Sequence, residues 1–312
     1  LPVKENRMRR EAVLASVSRR PQHGCHTPEG REALLKDTET WLRRAVSMGA
    51  EIVAFPEVYP QMASPDSYAA IEPHDGGTLL GIQELCKELG IYVIWPRFES
   101  RPSGLYNTAI LVGRDGEVVG RYDKMFPTLG EMEKGVIPGS ACPRLETDFG
   151  RVAMGICFDL NFMEIRDELR ADPPDVFFFC SMYRGGIQLQ EWALDLGCHV
   201  VSAIGAELGR LVDPGGQVLK LSTYEALITG RVNLNKRQLH MDYNWGKMDA
   251  MLAKYGPKLT FEYYTPEARY VIGYEDADRD VDEILAEFEL LPIKEYWARV
   301  RQMRQDRLAG AA

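Results

Sequence analysis

From about residue 12 to residue 234, short apolar runs alternate with stretches whose apolar residues recur at helical spacing, and this alternation restricts the chain more than any other feature. Residues 12–18, 51–55, 91–95, 151–156, 176–180, 199–204 and 227–234 read as strands, and 27–48, 81–89, 164–170 and 187–197 as helices. Within 27–48, Leu34, Leu35, Trp41, Leu42 and Val46 fall near one helical face, and Gly49 stands where a helix would stop. Arg114-Asp115-Gly116 joins 106–112 to 117–122 as a hairpin, and Pro214-Gly215-Gly216 turns a second one within 211–219. The run Val176-Phe177-Phe178-Phe179-Cys180 is apolar throughout, as in a strand covered on both faces. Two similar halves with helices outside predict sheets packed face to face under helical layers.

After Leu234 the character changes, so we divide the chain into a domain of residues 1–234 and a C-terminal extension of 235–312. The extension carries the aromatic segment Phe261-Glu262-Tyr263-Tyr264. An acidic run follows (Asp276, Asp278, Asp280, Asp282, Glu283), and then a basic one (Lys294, Arg299, Arg301, Arg304, Arg307). It reads either as solvated helical faces or as an arm wrapping a neighbouring subunit.

Charge narrows the partners. With 37 Lys and Arg against 46 Asp and Glu, the chain is acidic, whereas a protein that neutralises phosphates is usually basic, so nucleic acid is not expected as a partner. No apolar run is long enough to span a bilayer, so no membrane association is expected either. Arg9, Arg10, Arg19 and Arg20 lack the central apolar block of a secretory leader. The six cysteines are widely spaced with no CxxC pair, which predicts reduced thiols and a cytoplasmic location. His23-Gly24-Cys25-His26 has no second ligand cluster to complete a metal site, and no metal is expected.

GxSxG, GxGxxG, Walker and HExxH motifs are all absent. One cysteine has an unusual context. Cys157 ends the strand Val152-Ala153-Met154-Gly155-Ile156 and precedes Phe158-Asp159-Leu160-Asn161-Phe162, which leads into a helix. It reads as a buried core thiol or as a nucleophile lifted clear of the sheet on a sharp turn. Charged residues that could serve it also stand at strand ends: Glu57 after Phe55-Pro56, and Lys124 after Tyr122-Asp123. If these ends share one rim, a carboxylate, an ammonium and a thiol converge.

Three blocks, Phe55-Pro56-Glu57, the stretch from Gly104-Leu105-Tyr106-Asn107-Thr108-Ala109 through Gly120-Arg121-Tyr122-Asp123-Lys124, and Gly155-Ile156-Cys157-Phe158-Asp159, resemble in order and spacing those of the nitrilase superfamily of carbon–nitrogen hydrolases. Val212-Asp213-Pro214-Gly215-Gly216 is similar to a late hairpin of that family. The resemblance implies a four-layer αββα sandwich, an enzyme that needs no cofactor, and a homo-oligomer. Carried over by position, Cys157 would be the nucleophile, Glu57 the general base and Lys124 the electrophilic partner. Glu133, in the block ending Pro138-Gly139, would be a second glutamate, with Glu131 as the alternative.

Met163 stands where the family usually has proline, residues 12–18 lack the usual glutamine, and 201–204 lack the usual asparagine, which marks a divergent branch. Phe158-Asp159 after the nucleophile is closer to the amidases and carbamoylases than to the nitrile-cleaving members. The substrate is therefore expected to be a small linear amide or N-carbamoyl compound, cleaved through a cysteine thioester with release of ammonia. Tyr59, Trp95 and Tyr183 read as pocket walls or as core aromatics, and Arg184 as a surface residue or as a bidentate clamp for a substrate carboxylate. A true nitrilase and a non-catalytic scaffold that keeps the fold are the competing readings.

Overall fold

In the computed structural model the two hairpins and most predicted elements appear within a residue or two of their expected bounds. The structure describes residues 11–242, 244–276 and 278–310. Arg9 and Arg10, weighed above against a leader, lie outside them. The chain divides into two units, with Ala12–Val232 forming the larger and Asn233–Ala312 most of the smaller.

The larger unit holds two sheets. The first is seven-stranded and runs β13 (Leu227–Asn233), β1 (Glu11–Val17), β2 (Ile52–Ala54), β4 (Tyr92–Arg101), β5 (Gly104–Val112) and β6 (Val118–Asp123), with β3 (Glu72–Pro73) paired to β4. The second runs β12 (Val218–Leu221), β11 (Arg210–Val212), β10 (His199–Ile204), β9 (Val176–Ser181), β8 (Arg151–Ile156) and β7 (Leu145–Glu146). Strands β1, β2 and β4 are mutually parallel, as are β8, β9 and β10, and hairpins close the sheets.

Helices α1 (Pro28–Ser47) and α2 (Thr78–Leu89) cover the first sheet, and α4 (Met163–Ala171) and α5 (Ile187–Leu196) the second, which gives the αββα layering. Each end of α1 has a local cause. Thr27 caps it by accepting the Gly30 N–H, Pro28 fits a first turn whose N–H would be orphaned, and its chain turns away at Gly49, where φ is 81°. Beneath α1 and α2 lies a core built on Leu34, Leu42, Phe55, Tyr59, Ile82 and Trp95. All five residues from Val176 to Cys180 are buried.

One strand runs longer than its sequence pattern indicates. β4 continues through Pro96 to Arg101, where its polar residues are paired rather than solvated. Arg97, fully buried, bonds Glu99 at 3.0 Å and Glu72 at 3.4 Å, and Arg101 bonds Glu99 and, at 2.6 Å, Asp123. This chain of ion pairs ends one residue before Lys124.

The smaller unit has its own sheet, β14 (Lys236–His240), β16 (Arg269–Tyr274) and β15 (Leu259–Tyr264), with α6 (Met248–Tyr255), α7 (Val281–Glu287) and α8 (Ile293–Gly310). Its core includes Leu239, Met251, Tyr270, Ile272 and Ile284, so residues beyond 235 form a folded body with a core of its own. The acidic run finds cations in the same unit: Asp282 meets Arg237, and Asp276 meets Lys258. Of the residues in α8 only Ile293 is buried.

Candidate active site

Glu57, Lys124 and Cys157 come from three separate segments of the larger unit. Glu57 follows β2, Lys124 follows β6 and Cys157 follows β8, each at the C-terminal end of its strand. Such ends, in parallel sheets, are where side chains from distant segments converge.

Lys124 is 1% exposed and Glu57 4%. The Lys124 ammonium donates to Glu57 Oε1 at 2.8 Å and to Glu131 Oε2 at 2.7 Å. Burial alone would lower its pKa, but the carboxylates of Glu57 and Glu131 outweigh that and hold it above the ordinary lysine value, so it is a cation. The ammonium has three donors and these contacts use two, leaving one for another acceptor.

Asn107 completes the cluster. Its amide nitrogen donates to Glu57 Oε1 at 2.9 Å and to Glu131 Oε1 at 2.7 Å, so one side chain aligns both carboxylates. The Met182 N–H, 3.2 Å from Glu57 Oε2, occupies the other oxygen. Glu131 is fixed within its own short helix α3 (Leu129–Glu133), whose capping box pairs it with Thr128. Burial would raise its pKa, but Lys124, with the Thr128 N–H and Asn107, brings it below the ordinary value.

Glu133, expected as the second glutamate, is exposed and takes no part in the cluster. The two-residue step from Glu131 to Glu133 spans about half a turn, which places their side chains on different faces of α3. Glu131 faces the lysine.

Cys157 stands at φ 49°, a left-handed conformation that costs a non-glycine residue about 1–3 kcal/mol. Asp159 holds this turn. Its carboxylate accepts the Ile156 N–H at 2.9 Å, the Phe126 N–H at 2.8 Å and the Tyr122 hydroxyl at 2.7 Å, so it joins the end of β8 to the segment carrying Lys124. Burial pushes its pKa up to about 6 despite those three donors. Sequence reasoning placed Asp159 only as a marker of substrate class and Asn107 only inside a motif. Both lay in the quoted blocks, but nothing there showed what either would bond.

The sulfur is partly exposed, unlike the other five cysteines, which are buried. Burial and the nearby Glu57 carboxylate push its pKa up to about 12. Lys124, the Ser181 hydroxyl and the Met182 N–H act in the opposite direction and do not prevail. Burial thus outweighs the lysine, and the thiol stays protonated at neutral pH.

The remaining candidates divide. Phe158 is 38% exposed and packs edge-on against Phe162, which stacks on Phe126 at 3.8 Å. Tyr183 is half-buried, 5.7 Å from Phe179 between ring centres. Arg184 is exposed, and its guanidinium has no partner among the described residues. Tyr59 is elsewhere. Its ring packs with Phe55 and Trp95 in the core under α1, and it lines a different cavity, with Arg19, Asp37 and Trp41. Trp95 is likewise a core residue, its indole N–H bonded to Thr78 at 3.0 Å.

Residues 14–239 match the family model described as carbon-nitrogen hydrolase. The chain belongs to the carbon-nitrogen hydrolase family, on the amidase-like side of the nitrilase superfamily. It is therefore an enzyme that hydrolyses amide carbon–nitrogen bonds. The chain is 25% identical over 225 residues to the human omega-amidase NIT2, across 63% of this chain and 82% of that one. It is 26% identical over 246 residues to the rat deaminated glutathione amidase, across 67% and 74%. Among solved structures it resembles Saccharomyces cerevisiae Nit3, described as a member of branch 10 of the nitrilase superfamily, with TM-score 0.63 and 19% identity over 72% of this chain and 90% of that one. No helix among the described residues of this carbon–nitrogen hydrolase is long and apolar enough to cross a membrane.

Proposed function

We propose that Cys157 is the nucleophile, Glu57 the general base and acid, and Lys124 the oxyanion donor of an amidase, with Glu131 as the second glutamate. The observation that carries this reading is the Lys124 ammonium held between Glu57 and Glu131 beside a thiol on a strained turn. Glu57 takes the thiol proton as sulfur bonds to the amide carbon, because a thiol with a pKa near 12 cannot supply its own anion at neutral pH. The carbonyl oxygen becomes an oxyanion, met by the third donor of Lys124 and the Phe158 N–H. A donor of this kind is worth about 3–4 kcal/mol.

Glu57 then passes its proton to the nitrogen, the carbon–nitrogen bond breaks, and ammonia leaves a thioester on Cys157. Water, deprotonated by Glu57, attacks that thioester; the acid departs and the proton returns to sulfur. Glu131 and Asn107 position Lys124 and Glu57 and exchange no proton.

For the substrate we propose a small linear amide or N-carbamoyl compound. Similarity to an omega-amidase and the exposed Arg184 favour one with a distal carboxylate, with Phe158 and Tyr183 flanking its chain. The protein would work in the cytoplasm, in keeping with six free thiols. It would work as a homo-oligomer, to which the exposed Val218, Leu219 and Leu221 of the edge strand β12 could contribute.

The decisive experiment follows ammonia release from a panel of amides, ureido acids and nitriles. Cys157→Ala should abolish release while circular dichroism stays native, and near-normal turnover by that variant would end the proposal. Arg184→Ala should slow carboxylated amides much more than neutral ones, and equal losses on both would remove the carboxylate role.

A further inference from the structure

Besides the catalytic cluster, a second cavity opens beside α1, with a volume of about 220 Å³. It is smaller than the ~300–1,000 Å³ typical of drug-sized ligands. Arg19 and Arg20, just after β1, and Arg44 and Asp37, on α1, supply its charge, while Trp41 and Tyr59 supply its aromatic surface.

These cations are not all spent on the protein. Arg20 gives one nitrogen to the Met62 carbonyl at 2.9 Å, and Arg44 gives one to Glu225 at 2.5 Å, so each keeps further donors. Arg19 has no partner among the described residues. Tyr59 is 1% exposed, yet its hydroxyl bonds no group of the described residues, and the charged groups acting on it are Asp37 and Arg19. A hydroxyl with no protein partner at the wall of a cavity is positioned to donate to an occupant.

We propose that this cavity binds a small carboxylic acid with an apolar body: the carboxylate on Arg19 and Arg20, the body on Trp41, and a hydrogen bond from Tyr59. Arg44 is offset by Glu225, but Arg19 and Arg20 against Asp37 still favour an anion, and the planar forks of arginine match a carboxylate in two-bond geometry. Asp37 on the same wall disfavours a dianion. Tyr59 follows Glu57 by two residues but packs into the helix-side core, so this site is separate from the cysteine.

Calorimetric titration of the whole chain tests the proposal without reading turnover, and so separates it from the catalytic assignment. The probes are phenylacetate, its neutral counterpart 2-phenylethanol, and inorganic phosphate. Phenylacetate should bind at one site per chain, with 2-phenylethanol and phosphate at least ten-fold weaker. Arg19→Ala with Arg20→Ala should weaken phenylacetate ten-fold or more, and Tyr59→Phe, which removes one oxygen from the core, several-fold. Binding unchanged in both variants would place phenylacetate elsewhere and overturn the assignment. Absence of binding, or equal affinity for phosphate, would do the same.

Discussion

Lys124 and Glu57, 67 residues apart in the chain, meet at 2.8 Å where neither is more than 4% exposed. A charge buried that deeply survives only while its partners stay in place. Replacing either member therefore tests two properties at once, and the two replacements should not behave alike.

Lys124→Met leaves Glu57 and Glu131 facing each other around one amide. It should cost about 3–5 kcal/mol of stability, the usual penalty for stranding buried charge, and denaturant unfolding will read it. Glu57→Gln leaves Lys124 paired with Glu131. Its stability loss should be clearly smaller, whereas ammonia release should fall roughly 10²–10⁴-fold, as expected for loss of a general base. A Glu57→Gln enzyme as unstable as Lys124→Met would contradict this account of the cluster.

Glu131 and Glu133 offer an internal control two residues apart. Glu131→Ala removes a lysine partner, a bond from Asn107 and a helix cap. It should cost both turnover and several degrees of melting temperature. Glu133→Ala should stay within about 0.5 kcal/mol of the parent with near-normal kinetics, as exposed substitutions do. The reverse ranking in a thermal melt would overturn the assignment.

Cys157 gives a pH signature. Its folded pKa, near 12, lies above the ~8.5 of a free thiol, so stability from the protonated form is fully present below the latter value and is lost as pH rises towards the former. Iodoacetamide alkylation should keep accelerating above about pH 9 rather than level off there. Because Glu57 helps to raise this pKa, Glu57→Gln should speed alkylation near pH 9 while slowing catalysis. Slower alkylation in that variant would refute the electrostatic role.

Asp159 can be tested by stability alone. Its three donors all point at oxygen, and an asparagine amide nitrogen would face one of them, so Asp159→Asn should lose about 1–3 kcal/mol at pH 7 in chemical denaturation. The native pKa near 6 exceeds the ordinary value of ~3.9. Stability from the protonated form is therefore present below about pH 4 and lost as pH rises through 6. That part of the pH profile should flatten in the variant.

The alternation of strands and helices was legible because period-two and period-3.6 patterns are local, and Thr27, Gly49 and the hairpin glycines mark boundaries. The continuation of β4 past Pro96 was not, since Arg97 and Glu99 read as polar until their partners across the sheet are known. The same limit governed the site. Glu57, Lys124 and Cys157 stand out at strand ends, but choosing Glu131 over Glu133 needed the direction of α3. The neutral state of Cys157 depended on burial, which adjacent residues do not reveal. Whether Tyr59 lined a pocket or joined the core stayed open in the sequence, because an aromatic just after a strand can face either side of its sheet.

The Glu57–Lys124–Glu131 cluster brings two anions and one cation around an uncharged thiol, so the chamber is one negative charge from neutral. On the proposed mechanism a product carboxylate there is repelled by its surroundings, whereas an ammonium ion entering from solution is attracted to them. Added ammonium salt should therefore inhibit more strongly than the added product acid.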